Sequence, residues 1–267
     1  MLKMFYDEEK GKLEHRAKPP GSLDLFDQPE MEQFFTAGIR GGQSFIATRH
    51  AKGNADPRSP GDHLLYVDAN NLYGSMETFK LPVGNFEWVP EENLKSCTAR
   101  DILKLPTQGD IGYAFEVDLE YPKKYHARDD QFPLAPYNGK LAFKDLSPYN
   151  RSLLKKHYPR DYNKRRYAAK KLLATFHKRR RYVVLLDNLQ YYLKRGLKLV
   201  RVRRAVKFSQ KDFLKKFITK ITKLRLEAKT DFELRLFKLF ANSTFGKFIG
   251  EESSVFFVAR QNNNKLL

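Results

Sequence analysis

Two segments in which apolar and polar residues alternate lie far apart in the chain, and together they predict a non-local β-sheet. Residues 112–122, GYAFEVDLEYP, alternate apolar side chains with Ala114, Glu116 and Asp118, which predicts a half-buried strand. Residues 197–208, LKLVRVRRAVKF, alternate valines with arginines in the same way. Since the remaining strong patterns are helical and come mostly later in the chain, we expect an α+β fold.

The other periodic segments complete this outline. We expect a short helix in EMEQFFTAGIRGG, strands in SFIATRHA and HLLYVDA, and a strand or turn leading into a helix in YVVLLDNLQYYLKRG. A long helical tract runs from residue 211 to about residue 249. It has a break near Thr230–Asp231, where an N-cap would start the second helix.

The positive charge of the chain is concentrated in one region. The formal net charge is +19, yet residues 1–100 hold 12 Lys or Arg against 15 Asp or Glu. Residues 151–216 hold 23 Lys or Arg against three acids, a local balance of +20, with tyrosines and phenylalanines interleaved. Such a surface fits a polyanion, and the rings favour nucleic acid, because cations follow phosphates and rings stack on bases. A solvated basic face and a membrane-surface patch are the alternatives.

Cysteine usage and hydropathy limit the class of protein further. The single cysteine, Cys97, excludes an internal disulfide framework and suits a reducing, intracellular compartment. No uninterrupted apolar run approaches the length of a membrane span, so we expect no membrane partner. The first residues are too charged for a signal peptide.

Residues 66–76, YVDANNLYGSM, place an acid directly after an apolar strand pattern. An Asp at a strand end that faces a cleft can hold a metal ion, because carboxylates are preferred ligands of Mg²⁺. The alternative is that Asp68 and the asparagines are turn residues, whose side chains hydrogen-bond their own backbone.

A second motif, FKLFANSTFGK, follows Asp231. Lys238, Asn242 and Phe245 are spaced i, i+4 and i+7, so they share one face of a helix. A cation, an amide and a ring on one face suit a nucleoside triphosphate, since the cation meets phosphates and the ring packs on a base or sugar. The alternative is an amphipathic helix with its phenylalanines in the core and Lys238 in solvent.

DANNLYG and KLFANSTFG, in this order, resemble motifs A and B of family B DNA polymerases, whose commoner forms are D-x-x-S-L-Y-P and K-x-x-x-N-S-x-Y-G. The resemblance is strongest to the protein-primed branch of bacteriophages, linear plasmids and Polinton/Maverick mobile elements. It extends over about residues 36–250 and includes GIRGGQS, LPVGNFEW, GYAFEVDLEYPKKYH and YVVLLDNLQYYLKRG. The sequence differs from the common motifs at four positions. Asn71 replaces the usual Ser, Gly74 replaces Pro and Phe245 replaces Tyr. In GIRGGQS, the Gly-Gly segment, Ile39 replaces the usual Tyr.

The resemblance implies an antiparallel polymerase palm with helical fingers. It divides the chain into a remnant preceding the palm (1–37), a first part of the palm with motif A (38–122), a basic insertion resembling a terminal-protein region (123–197), a palm strand (198–210), fingers helices with motif B (211–250) and the start of the next palm segment (251–267). For an element of a eukaryotic genome it also implies the nucleus.

The same resemblance implies the roles of the site residues. Asp68 and the Ala69 carbonyl would bind Mg²⁺, or Mn²⁺, and Tyr73 would lie under the sugar of the dNTP and exclude a 2′-OH. Lys238 would neutralise charge on the triphosphate, and Arg225 would be a second clamp, with Lys223 and Lys229 as nearby alternatives. Asn242 and Phe245 would line the nascent base pair.

DNA contacts are implied outside this site as well. Arg40, Gly41 and Gly42 would touch the template strand. Other basic residues would bind the phosphates of the template-primer: Arg165, Arg166, Arg179, Arg180, Arg201, Arg203 and Lys247. A terminal-protein primer is a possible further partner of the insertion, part of which could instead be a flexible solvated loop.

Motif C of the family, Tyr-x-Asp-Thr-Asp, does not occur in the 267 residues. We therefore expect this chain to be a polymerase fragment that binds DNA and does not extend a primer. If it did incorporate nucleotides, Asp118 would be the first candidate for the second acid. The competing hypothesis is a catalytically dead relic that acts only as a sequence-independent nucleic-acid-binding protein.

Overall fold

A computed structural model describes residues 23–24, 26, 28–48, 50–54, 58, 61–141, 143–162 and 170–246. The helices are α1 Pro29–Gly38, α2 Leu72–Glu77, α3 Glu91–Lys95, α4 Ala99–Lys104, α5 Pro148–His157, α6 Leu186–Lys194, α7 Lys215–Glu227 and α8, residues 231–246. The strands are β1 Leu81–Trp88, β2 Ile111–Glu120, β3 Tyr137–Gly139, β4 Lys171–Leu173, β5 Arg179–Leu185 and β6 Lys198–Lys211.

A four-stranded sheet of order β1-β6-β2-β5 forms the centre, and all its neighbouring strands are antiparallel. The longest strand, β6, pairs with β1 along one edge and with β2 along the other. The two strands with the clearest alternation, β2 and β6, are thus the inner pair, which confirms the α+β prediction. A separate hairpin-like pair, β3 and β4, lies within residues 123–197, and the same range contributes β5 to the central sheet.

Helices cover both faces of the sheet. Phe115, Val117 and Leu119 of β2 pack with the apolar side of α6 in one cluster. On the other face, Ala114 and its neighbours on β5 and β6 pack under Phe34 of α1. The prediction of a half-buried β2 is therefore wrong for its polar face, because that face is also covered.

The acids of β2 tolerate this burial because arginines on the adjoining strands pair with them. Glu116 is only 3% exposed, and its two oxygens accept hydrogen bonds from Arg181 Nε at 2.9 Å and Arg204 Nε at 2.7 Å. Arg204 also reaches Glu30 of α1 at 2.6 Å. A buried carboxylate with two charged donors avoids most of the desolvation cost that an unpaired one would incur.

Two predicted strands are absent. Neither residues 44–48 and 50–51 of SFIATRHA nor residues 63–69 of HLLYVDA form a strand. A strand requires a hydrogen-bonded neighbour, and the described sheet edges, β1 and β5, do not pair with either segment. The apolar side chains from Leu64 to Val67 are consequently exposed, with Tyr66 93% accessible.

The predicted break in the helical tract is confirmed. The α7 helix ends at Glu227, and α8 starts after Thr230 with a capping box. The backbone N–H of Glu233 donates to Thr230 Oγ1 at 3.2 Å, and the Thr230 N–H donates to Glu233 Oε2 at 3.1 Å. Among the described residues no helix is both long and apolar enough to cross a membrane.

Candidate active site

The DANNLYG segment forms a tight turn into α2. Asn71 adopts a left-handed conformation, with φ 52° and ψ 49°, and its carbonyl accepts hydrogen bonds from the backbone N–H and the hydroxyl of Ser75 at 2.8 and 3.0 Å. Asp68 precedes this turn and is exposed. The side chain of Asp68 has no hydrogen-bond partner among the described residues, so the turn does not require a carboxylate there.

Two departures from the common motif A are structurally linked. Gly74 is buried, and a Cβ added at that position would collide with the side-chain amide of Asn71. A larger residue at 74, such as the usual proline, would therefore compete with the asparagine side chain for the same space. Glycine at 74 and asparagine at 71 are mutually compatible, and their joint occurrence preserves the turn.

The structure brings the two motifs together through their aromatic residues. The rings of Tyr73 and Phe245 stack with centroids 4.6 Å apart and an interplanar angle of 30°. Lys238 and Asn242 are exposed on the same helix, α8, and precede Phe245 at intervals of seven and three residues. The predicted helical face therefore exists, and it lies beside the turn that follows Asp68.

The α2 helix also packs against α7. Arg225, the predicted second phosphate clamp, lies in the last turn of α7 and is half-buried. Lys223 is exposed and forms a long 3.8 Å ion pair with Glu227 one turn later. The helix that carries Arg225 and Lys223 therefore lies against the helix that carries Tyr73.

The metal-binding prediction rests on Asp68 and the Ala69 carbonyl. An exposed carboxylate without a partner fits a Mg²⁺ ligand chemically. No group of three or more His, Cys, Asp or Glu side chains that could hold a metal occurs in the described part of the chain. An antiparallel palm over residues 38–122 also predicts that Asp68 lies near the end of the strand 112–122 in one sheet. This prediction is wrong, because residues 63–69 do not join the sheet.

Asp118 does not supply a second metal ligand. Its oxygens accept hydrogen bonds from Arg203 Nε at 2.8 Å, Arg203 Nη2 at 2.7 Å and the Arg181 N–H at 2.9 Å. The hydrogen bonds from Arg203 hold the pKa of Asp118 below its usual range. Asp118 is therefore an ionised member of the sheet's ion-pair network, and the hypothesis that it acts as the second acid is wrong.

The Gly-Gly segment is anchored by Arg40. The guanidinium of Arg40 lies 3.8 Å from the ring centroid of Tyr182 on β5, and its Nη1 donates to the Gly38 carbonyl at 2.9 Å. Gly41 and Gly42 are exposed, and an added Cβ at either would meet no described atom within 4 Å. Contacts with the described residues therefore do not require glycine at these two positions.

The other predicted DNA contacts divide into four groups. Arg179 is 4% exposed, stacks on Tyr137 and donates to the carbonyls of Ala135, Thr175 and His177, so the prediction that it binds DNA is wrong. Arg203 is engaged by Asp118. Arg180 and Arg201 are exposed and could meet phosphates. Arg165, Arg166 and Lys247 lie outside the described residues.

Glu77 is a residue that the sequence analysis missed. It lies four residues after Tyr73 on α2 and is 7% exposed, and neither carboxylate oxygen has a hydrogen-bond partner in the part of the chain that the structure describes. Burial raises the pKa of Glu77. A glutamate near the end of a short helix is usually a surface residue, so nothing in the sequence indicated that this one is buried below the motif A turn.

Replacing Glu77 by methionine is expected to stabilise the protein at neutral pH. The substitution keeps the length of the side chain and removes a buried group without partners, which typically costs about 1–3 kcal/mol. Folding raises the pKa of Glu77. The wild type therefore loses stability relative to the variant as the pH rises. The loss begins at about pH 4.3, the ordinary pKa of a Glu side chain, and continues through the higher pKa of the folded state.

Denaturant unfolding of the wild type and of Glu77→Met between pH 4 and pH 7 measures this difference. The exposed Glu92, replaced in the same way, is the matched control and should show a small, nearly constant change. Parallel stability curves for wild type and Glu77→Met over this range would contradict the assignment of Glu77 as an uncompensated buried carboxyl.

A comparison with family models identifies the class of protein to which this turn, stack and cationic helix belong. The family model described as DNA polymerase type B, organellar and viral, matches residues 25–260. The chain belongs to this family, since the match covers most of its length. No curated protein and no solved structure matches the chain.

Proposed function

We propose that the chain is a segment of a template-directed DNA polymerase that transfers a nucleotide from a dNTP to a DNA 3′-hydroxyl or to the hydroxyl of a protein primer. The observation that supports this best is the Tyr73–Phe245 stack, which joins the turn after Asp68 to the helix face bearing Lys238 and Asn242. Family membership independently supports DNA polymerase chemistry.

Each residue has a distinct role in this proposal. Asp68, with the Ala69 carbonyl, would hold Mg²⁺ or Mn²⁺, and the ion would supply charge neutralisation for the in-line displacement at phosphorus. Lys238 neutralises the charge that develops on the triphosphate, and Arg225 clamps a second phosphate oxygen. Tyr73 lies under the sugar and leaves no room for a 2′-OH, while Asn242 and Phe245 line the base pair.

The template strand runs along Gly41 and Gly42, whose backbone can approach it closely. Arg40 has a modified role here. Its guanidinium is already placed on Tyr182, so it positions the Gly-Gly segment on β5 and presents only its remaining N–H groups outward. Arg180 and Arg201 are exposed cations for additional phosphates.

A palm and fingers arrangement follows from the same proposal. The β1-β6-β2-β5 sheet belongs to the palm, α7 and α8 are the fingers, and residues 123–197 include the insertion that meets a terminal protein. Residues 64–67 are an apolar segment that pairs with no described strand, and a strand carrying a second catalytic carboxylate would pair with it. Such pairing would cover Tyr66 and would place a second acid next to Asp68.

The second candidate function is sequence-independent nucleic-acid binding without catalysis. The observations that favour it are that the described residues contain no group of three or more potential metal ligands and that residues 151–216 have a charge balance of +20. This function needs the basic surface and the Gly-Gly segment, but neither Lys238 nor Tyr73.

The purified 267-residue chain is expected to bind DNA without extending a primer. Binding should weaken steeply as the salt concentration rises, because neutralising phosphates releases counterions, with a slope of about −0.9 for each phosphate contacted on duplex DNA. Fluorescence anisotropy over a salt series, and primer extension with Mg²⁺ and Mn²⁺, test the two parts separately. Incorporation of nucleotides by this chain would show that it contains a complete metal site.

A further inference from the structure

A cavity of about 530 Å³ separates the segment after Gly42 from the insertion. One wall consists of Gln43, Ser44 and Phe45, and the opposite wall and floor include Gln131, Pro133 and Thr175. A volume of this size lies within the range of small-ligand sites, which is about 300–1,000 Å³. The proposed function assigns no role to this cavity.

Two exposed aromatic rings stand together at the cavity. Phe45 is 47% exposed and Phe132 is 64% exposed, and their centroids are 5.5 Å apart with a tilt of 57°. Large apolar side chains normally avoid such exposure at adjacent positions unless they meet a partner. Phe45 lines the cavity and offers its face to a planar ring, and Phe132 can meet the edge of that ring.

The polar groups around the cavity suit the edge of a base better than a phosphate. The side chains of Gln43 and Gln131 form no hydrogen bond with any described residue, so both their donors and acceptors are free. Asp130 also lines the cavity, and its charge repels a phosphate but can accept a hydrogen bond from a base amino group. Lys140 and Lys171 are exposed, and each is next in sequence to a leucine that lines the cavity. Neither lysine lines the cavity itself, so these positive charges lie outside it.

The floor of the cavity is held in place by the buried Arg179. Its Nη2 donates to the Thr175 carbonyl at 2.7 Å, and its Nε donates to the Ala135 carbonyl at 2.7 Å. These bonds tie the residues after β4 to the residues before β3. The cavity therefore has a fixed floor on the insertion and an aromatic rim formed by Phe45 after the Gly-Gly segment and Phe132 of the insertion, which is the arrangement of a preformed site.

We propose that this cavity receives the base of one unpaired nucleotide of the DNA strand that runs along Gly41 and Gly42. The base stacks on Phe45 and Phe132, its edge faces Gln43 and Gln131, and its phosphates stay outside near Lys140 and Lys171. This inference rests on the proposed function, because that function places a template strand at the Gly-Gly segment. It adds a site for a flipped-out or single-stranded base to a contact that otherwise involves only the backbone.

The test compares a short single strand with a strand of equal length and charge in which every base is replaced by an abasic site. The wild-type chain should bind the base-bearing strand about five- to 150-fold more tightly, the effect expected when a base gains an aromatic stack. Phe45→Leu keeps an apolar side chain and removes the ring, so it should abolish most of this preference. Phe232→Leu, an exposed phenylalanine on α8, is the matched control and should behave as wild type.

Duplex binding and the salt dependence of binding distinguish failure of the base-site proposal from failure of the proposed function. Phe45→Leu should bind a fully paired duplex as wild type does, which also establishes that the variant is folded. Equal wild-type affinity for the base-bearing and abasic strands, or an unchanged preference in Phe45→Leu, would overturn the base site and leave the proposed function intact. Absence of salt-dependent binding to any DNA would instead contradict the proposed function.

Discussion

Lys238→Ala is expected to slow nucleotide incorporation by about 100- to 1,000-fold, the usual cost of removing one donor that stabilises transition-state charge. The loss should be equal for deoxynucleotides and ribonucleotides, since the charge of the triphosphate does not depend on the sugar. Lys238 is exposed on α8 and has no acidic partner among the described residues, so its ammonium is free to meet phosphates.

The measurement is single-turnover incorporation by a form of the protein that includes a second catalytic carboxylate. Lys104→Ala is the matched control, because it removes the same charge from α4, away from the stacked rings, and should leave the rate nearly unchanged. A loss in Lys238→Ala confined to one sugar would contradict the assignment, and so would a rate equal to that of Lys104→Ala.

The strands could be predicted from the sequence where side chains alternate strictly. β2 and β6 are defined by a period of two, and their partners follow from the sheet. The burial of Glu116 and the ion pairing of Asp118 could not be predicted in this way, because both depend on arginines of β5 and β6 that lie far along the chain. The charged residues on one face of β2 therefore predicted that this face is exposed to solvent. In the fold these residues instead form an ion-pair network with arginines.

Arg179 illustrates why single basic residues are difficult to assign from sequence. It belongs to the run KRRR and differs in no visible way from Arg180. Its partners are mainly backbone carbonyls of Ala135, Thr175 and His177, and carbonyls occur at every position regardless of side chain. Only the three-dimensional path of the insertion makes Arg179 a buried structural residue and leaves Arg180 exposed.

The motifs, in contrast, predicted the residues of the candidate site but not all of their surroundings. Lys238, Asn242 and Phe245 share a helical face because spacing alone determines this, and α8 confirms it. The strand before Asp68 was predicted from its apolar residues, yet an apolar run becomes a strand only beside another strand. The ring contact between Tyr73 and Phe245 is tertiary and has no signal in either motif.

Tyr73→Ala is expected to increase the use of ribonucleotides relative to deoxynucleotides by about tenfold or more, the scale on which a pocket discriminates small changes in substrate size. The proposed reason is steric: the ring occupies the volume that a 2′-OH would need. The measurement is the ratio of kcat/KM for each nucleotide pair, again in a form of the protein with a second catalytic carboxylate.

The stack with Phe245 extends this prediction to a second residue. Because the two centroids are 4.6 Å apart, the ring of Phe245 supports that of Tyr73 from one side. Phe245→Ala should therefore loosen Tyr73 and relax sugar selection in part, whereas Phe245→Tyr keeps the ring and should be nearly neutral. If Tyr73→Ala and Lys238→Ala slowed both kinds of nucleotide by the same factor, Tyr73 would not select the sugar. Its ring would then serve only to pack α2 against α8.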